Sequence, residues 1–309
     1  MDQAKEFLNL KQYLFSIAYK ITGSYQDSED ILQEAYLKWI ESDSQDIKSI
    51  KAYVGTIVAR LSLDLLKKSS RRKETYIGPY LPEPIPTRIE DETDDRVEFA
   101  FLVILETLNP MERAVYILRE AFDYEYEEIS KVVDRTPVNC RRIFSRAQEA
   151  IQSRKKKFEP DTKTHKKLFL EFLLASHKKD PRNFSKLLSE QIVVLSDGGG
   201  KVHAARIPIL GKERVIQFLL RTISIGSKDT EFYLCQVNSS PAVVGYKKDI
   251  PVSVQILDYE NNGIVGVYNI LNPDKLHAFS KMEALLRWKV IQKLNWFLVL
   301  KMKLGFYFS

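Results

Sequence analysis

The chain has 309 residues, 44% of them hydrophobic and 28% charged, proportions of a globular protein that exclude collagen, coiled coil and global disorder. At roughly 100–200 residues per domain this length holds two or three cores. The formal net charge is +6, a balance that suits a polyanionic partner better than a neutral one.

The first residues, MDQAKEFLNLKQYLFS, carry acids and no apolar segment ahead of a small-residue cleavage site, which predicts no secretory leader and a cytoplasmic protein. Residues 1–76 read as helices. Ser24 precedes an apolar pattern at Ile31, Leu32, Ala35, Tyr36, Trp39 and Ile40, with Asp27 in capping-box position. The opposite face carries Asp27, Asp30, Glu34 and Glu41. A second helix, Ile50 to Lys68, repeats the pattern through Val54, Ile57, Val58, Leu61 and Leu65. Between Lys48 and Lys73 eight basic residues stand against one acid, Asp64. Tyr53 and Trp39 could stack on bases, but their helical spacing assigns both to the core. Pro79, Pro82, Pro84 and Pro86 then forbid helix and predict an extended linker, followed by an acidic run, Glu90 to Glu98.

Helices resume near Val97, with apolar positions at Phe101, Leu102, Leu105 and Leu108. Asn109, Pro110 and Glu112 make a helix start. Residues 123–147 read as a helix-turn-helix: Tyr126, Ile129, Val132 and Val133 space the first helix, Asp134 and Arg135 turn, and Thr136 with Pro137 opens the second. That second helix sends Val138, Ile143, Phe144 and Ala147 toward a core and leaves Asn139, Arg141, Arg142, Ser145 and Arg146 facing out. Arginine and asparagine there carry the donors that match guanine and adenine edges. From Lys131 to Lys167 twelve basic residues stand against four acids. Two basic blocks in an otherwise acidic chain point to two places where phosphates are gripped; solvated helix faces are the plain alternative.

After residue 164 the texture changes. Helices at Lys166 to Lys178, Pro181 to Ser189 and Glu213 to Ser224 accompany strand-like runs at Ile192 to Ser196, Val202 to Ile207, Glu231 to Val237, Ala242 to Tyr246, Val252 to Tyr259 and Ile264 to Leu271. This order predicts a separate α+β domain with a curved antiparallel sheet. Cys140 and Cys235, the only cysteines, support neither a disulfide framework nor a cysteine zinc site, and no metal or cofactor is expected. The longest apolar candidate, Leu294 to Leu300, is too short to span a membrane. Asp197 to Lys201, DGGGK, is read as a tight turn, since it lacks the strand and helix context of a nucleotide loop.

DSEDILQEAYLKW and IKAYVGTIVARLSLDLLKK, within residues 24–72, resemble region 2 of the extracytoplasmic-function (ECF) sigma factors, the bacterial initiation subunits of RNA polymerase. LNPMERAVYILRE and YEEISKVVDRTPVNCRRIFSRA, within residues 108–147, resemble their region 4. GPYLPEP at Gly78 to Pro84, DGGGK at Asp197 to Lys201 and NPDKL at Asn272 to Leu276 resemble three signatures of the subgroup with a fused SnoaL-like domain. The chain departs from the pattern at Asp134, where glycine is usual, and at Tyr80, where tryptophan is.

The resemblance implies two all-α sigma domains, region 2 at 1–76 and a region 4 helix-turn-helix at 97–158, joined by a linker at 77–96. It further implies a C-terminal α+β cone of SnoaL or nuclear-transport-factor-2 type at 164–276. The tail 277–309 extends beyond the resemblance and its structure is left open, with a basic amphipathic helix that packs on the sheet, binds a partner or touches membrane as the options and packing as the default. Asp27, Asp30, Gln33 and Glu34 would then dock on core RNA polymerase. Lys48, Arg60, Lys67, Lys68, Arg71 and Arg72 would hold the −10 element of promoter DNA, with the loop Asp43 to Lys48 accepting an unstacked base. Thr136, Asn139, Arg141, Arg142, Ser145 and Arg146 would read the −35 element. Tyr80, Leu81, Pro82, Glu83, Pro84, Asp197, Gly198, Gly199, Gly200, Lys201, Asn272, Pro273, Asp274, Lys275 and Leu276 would form one regulatory contact, the sheet domain docking on the linker. The chain is expected not to be an enzyme. The alternative is a SnoaL-type enzyme or sensor of an unidentified small molecule fused to a DNA-binding module; of the four histidines, His165, His177, His203 and His277, His203 with Asp197 is the one pairing to consider for catalysis, and a strand histidine beside a turn is more often a surface residue.

Overall fold

The structure, a computed structural model, describes residues 3–42, 47, 49–87, 98–153, 162–226, 229–260, 263–281, 285 and 291–294, with the side chains of 70–74, 162–163, 224–226 and 291–292 outside that description. The loop Asp43 to Asp46 with Lys48, the side chains of Arg71 and Arg72 and most of the acidic run therefore lie outside the described residues. The chain divides into two compact units, Met1–Thr75 with Phe101–Lys156 and Tyr76–Ala100 with Lys157–Ser309.

In the first unit, helix α1 (Gln3–Thr22) buries Phe7, Leu14, Ile17, Ala18 and Ile21 along one stripe. Gly23, at φ 73°, ends it by donating its N–H to the Tyr19 carbonyl at 2.8 Å, the left-handed stop that glycine adopts without steric cost. Helix α2 (Tyr25–Ile40) starts where the Ser24 hydroxyl accepts the Asp27 N–H and buries Ile31, Leu32, Ala35 and Trp39. Ile40, expected in that core, is 44% exposed. Trp39 is fully buried and donates its indole N–H to the Gln3 carbonyl at 2.9 Å, whereas Tyr53, assigned to the core with it, lies at the surface. Helix α3 (Ile50–Glu74) buries Val54, Val58, Leu63 and Leu66.

Helix α4 (Phe99–Leu105) leads to α5 (Pro110–Phe122), which opens with the reciprocal capping box of Asn109 and Glu112. Helices α6 (Tyr126–Val133) and α7 (Pro137–Gln152) form the expected helix-turn-helix. Asp134 takes the left-handed turn at φ 53° in place of glycine, a conformation that aspartate visits more readily than most side chains. Helix α5 packs on α1 and α3, and α6 on α3.

In the second unit, helices α8 (Thr162–Lys178) and α9 (Pro181–Leu187) precede strand β2 (Leu188–Asp197). After the short β3 (Ile209–Leu210), helix α10 (Lys212–Gly226) leads into β4 (Glu231–Val237), β5 (Ser240–Lys247), β6 (Ile250–Glu260) and β7 (Gly263–Ile270). With β1 (Pro86–Thr87) from the linker, these strands form one sheet in the order β1-β4-β5-β6-β7-β2-β3. Phe172, Phe184, Val215 and Leu219 of the three helices pack on Ile192, Val194, Leu257 and Val267 of the sheet.

Two expectations fail here. The sheet is mixed, because β2 runs parallel to β7. Residues 202–207 form no strand: Lys201 and Val202 turn back to the Gly198 carbonyl, and the linker backbone at Gly78 lies against Arg206. In the tail, whose structure the sequence left open, Ile291–Lys293 forms strand β8 on β4. Among the described residues no helix is long and apolar enough to cross a membrane.

Candidate nucleic-acid interface and linker cradle

The exposed acidic face of α2 carries Asp30, Gln33 and Glu34, with Asp27 half-buried at its start. Leu37, which charge reasoning missed, extends this stripe by one helical turn and is 61% exposed. On α3, Lys67 and Lys68 are exposed, and Lys67 pairs with Asp64 at 3.7 Å. Arg60 instead turns to the helix-turn-helix. Its Nε and Nη2 donate to the Lys131 carbonyl at 3.1 and 2.6 Å, near the C-terminal end of α6, where a cation is favoured by the helix dipole.

Further contacts join the two sets of helices. Buried Arg113 donates Nε to the Lys20 carbonyl at 3.2 Å and Nη1 to Glu106 at 2.5 Å. Tyr13 packs edge-on against Phe122 and meets the Tyr124 hydroxyl at 3.4 Å. Gly55 leaves room for that hydroxyl, since a Cβ there would come within 2.2 Å of it.

On α7, Asn139, Arg141, Arg142, Ser145 and Arg146 are all exposed, while Cys140, Ile143, Ala147 and Ile151 are buried. Val138 corrects the sequence reading: it is 60% exposed, and Cys140 takes the core position. The Thr136 hydroxyl caps the helix by accepting the Asn139 N–H at 3.3 Å. Arg141 lies over the Tyr126 ring, 5.2 Å from its centroid.

In the second unit the three expected segments, 80–84, 197–201 and 272–276, meet at one carboxylate. Asp197 is fully buried. Its Oδ1 accepts from the Tyr76 hydroxyl at 2.5 Å and the Gly199 N–H at 3.1 Å; Oδ2 accepts from the Leu81 N–H at 2.9 Å and Lys275 Nζ at 2.7 Å. Lys275 also donates to the Leu81 carbonyl and sits 3.3 Å from the centre of the Tyr80 ring. The backbone of Leu81 is thus held at both its donor and its acceptor. The Asn272 amide donates to Tyr76 at 2.9 Å, and its side chain fills the space where a Cβ on Gly199 would stand.

Leu81, Pro82, Glu83 and Pro84 are buried, and Pro273 opens the 3-10 turn that presents Lys275 and buried Leu276. Lys201 pairs with Asp274 at 2.5 Å on the exposed rim. Farther along, β1 pairs with β4, and Ile85 exchanges hydrogen bonds with Asn238. Tyr76 and Asn238 escaped sequence reasoning. Burial and the Asp197 carboxylate push the Tyr76 phenol well above its usual pKa, so it stays a donor.

The histidine and carboxylate considered for catalysis do not meet as a pair: His203 is exposed, while Asp197 is buried under the linker. Elsewhere, burial raises Asp258 to about 6, partly offset by hydrogen bonds from the Tyr268 hydroxyl and the Tyr259 N–H. Because this folded-state value exceeds the unfolded one, the carboxyl contributes stability that is complete below about pH 4 and lost as pH rises through 6. After allowance for partial exposure the loss should be about 1–2 kcal/mol. Urea midpoints of wild type and Asp258→Asn at pH 5 and 8 check it: only the wild type should weaken at the higher pH.

Residues 7–72 match the family model of Sigma-70 region 2, and residues 98–151 that of Sigma-70, region 4. The chain is 29% identical over 293 residues to the ECF RNA polymerase sigma factor SigJ of Mycobacterium tuberculosis, covering 88% of this chain and 93% of that one. It is 25% identical over 275 residues to the probable ECF RNA polymerase sigma factor SigI of the same species, covering 86% and 92%. The crystal structure of M. tuberculosis SigJ superposes with a TM-score of 0.72 at 27% identity, covering 89% of this chain and 98% of that one. Both sigma regions occur in order, and the likeness to SigJ runs on through the sheet-containing unit; the chain belongs to the ECF RNA polymerase sigma factors, which recognise promoters and initiate transcription.

Proposed function

We propose that this sigma factor is regulated in cis, its C-terminal domain holding the linker that joins the two DNA-reading modules. The observation that carries the reading is the Asp197 carboxylate, which binds Tyr76, Leu81 and Lys275 at once. An exposed linker has no use for a fully buried leucine; a held one does. In this reading Asp27, Asp30, Gln33 and Glu34 dock on core polymerase, Lys48, Arg60, Lys67, Lys68, Arg71 and Arg72 hold the −10 element, and the exposed side chains of α7 read the −35 element. The hydrogen bonds from Arg60 to Lys131 favour a resting state, because the guanidinium must leave that carbonyl before it can grip a phosphate. Release of the linker frees the spacing between the modules, a two-state equilibrium that a ligand or partner of the C-terminal domain can bias.

The test is run-off transcription by the full chain with core polymerase on a promoter library. Leu81→Asp places a charge where an apolar side chain is buried, so it should release the linker and change promoter output severalfold in one direction. Unchanged output, with linker cleavage by protease increased, would overturn regulation through this contact and leave promoter recognition standing.

A further inference from the structure

Helix α7 carries an outward residue that neither charge nor core packing uses. With Cys140, Ile143, Ala147 and Ile151 buried, steps of about 100° per residue put Val138, Arg142, Ser145 and Glu149 on the line farthest from the core. Arg141 falls on one flank, over Tyr126, and Asn139 and Arg146 fall on the other. Val138 is 60% exposed, so its isopropyl group projects beside Arg142 from the side of α7 that a groove would meet. Phosphates offer that group nothing. In the major groove the apolar feature of the base pairs is the C5-methyl of thymine.

We propose that Val138 is a specificity-determining residue that packs on the C5-methyl of a thymine in the −35 element. The inference rests on α7 being the −35 recognition helix and names what one of its side chains reads. Val138 and Arg142 are separated by four residues, about 6 Å along the axis, and base pairs are spaced about 3.4 Å along one strand. The thymine therefore lies within two base pairs of the pair that Arg142 reads, on either strand.

The experiment uses holoenzyme made with the full chain and the promoter that library run-off selects. Each thymine of its −35 element is replaced in turn by deoxyuridine, which removes the methyl and nothing else. Wild type should lose about fourfold in binding at one position, the weight of one methyl group withdrawn from an apolar contact. Val138→Ser should abolish that sensitivity without changing the effect of Arg142→Ala, and Val138→Thr, which keeps one methyl, should retain it. If wild type prefers the intact −35 element but ignores every uridine, if the element holds no thymine on either strand, or if Val138→Ser keeps the sensitivity, the proposal falls while the reading of α7 stands. Should scrambling the −35 element change nothing, both fall.

Discussion

Asp197→Ala is expected to free the linker and to cost the second unit about 3–5 kcal/mol, the penalty for removing one partner of a buried ion pair. The side chains of Asp197 and Lys275 are 0% and 9% exposed, so the ammonium left behind keeps its desolvation cost without its carboxylate. The Tyr76 hydroxyl and the Leu81 N–H lose the same acceptor. Protease should then cleave between residues 76 and 84 of the full chain, where the wild type resists. Adding Lys275→Met removes the stranded charge, so the double variant should be more stable than Asp197→Ala alone. A linker equally protected in wild type and Asp197→Ala would show that other contacts hold it.

Arg113→Ala should have a comparable effect on the first unit. The guanidinium is 1% exposed, and its Glu106 partner is 9% exposed. Its loss removes a charge partner from Glu106 and a donor from the Lys20 carbonyl near the end of α1. The cost should again be about 3–5 kcal/mol, and Arg113→Lys should recover little, because an ammonium does not span both acceptors as a planar guanidinium does. Since the bond to Lys20 ties α5 to α1, fluorophores on α2 and α7 should move apart in the variant. Wild-type unfolding and energy transfer in Arg113→Ala would refute this.

Local chemistry made the helical half legible. Ser24, Asn109 and Thr136 each capped the helix that the sequence assigned to them, because a cap is decided within four residues. Val138 shows where that reading slipped. It lies five residues before Ile143, about 140° around the helix, so the period itself excludes it from the buried stripe that Cys140 joins.

The sheet domain was less legible because its pattern depends on distant chain. Residues 202–207 have a strand-like composition, yet the linker lies against Arg206 more than a hundred residues away in sequence. Parallel pairing of β2 with β7 leaves no mark in either strand alone. The motifs around Asp197 could be grouped by their resemblance to a subgroup, but which atoms meet required the fold. Tyr76 precedes its motif by two residues, and its hydrogen bonds with Asp197 and Asn272 show why it matters.

The linker cradle also sets an order of events during synthesis. Leu81 and the Lys275 that grips its carbonyl are 194 residues apart. At about 5–20 residues per second a ribosome needs about 10–40 s to make that stretch. Region 4 is complete early in this interval, so each new molecule passes through a period in which both promoter-reading modules exist and the cradle does not. A chain stalled or cleaved before residue 275 stays in that state, so under the proposed regulation in cis translation speed would set how long a newborn sigma factor remains unrestrained.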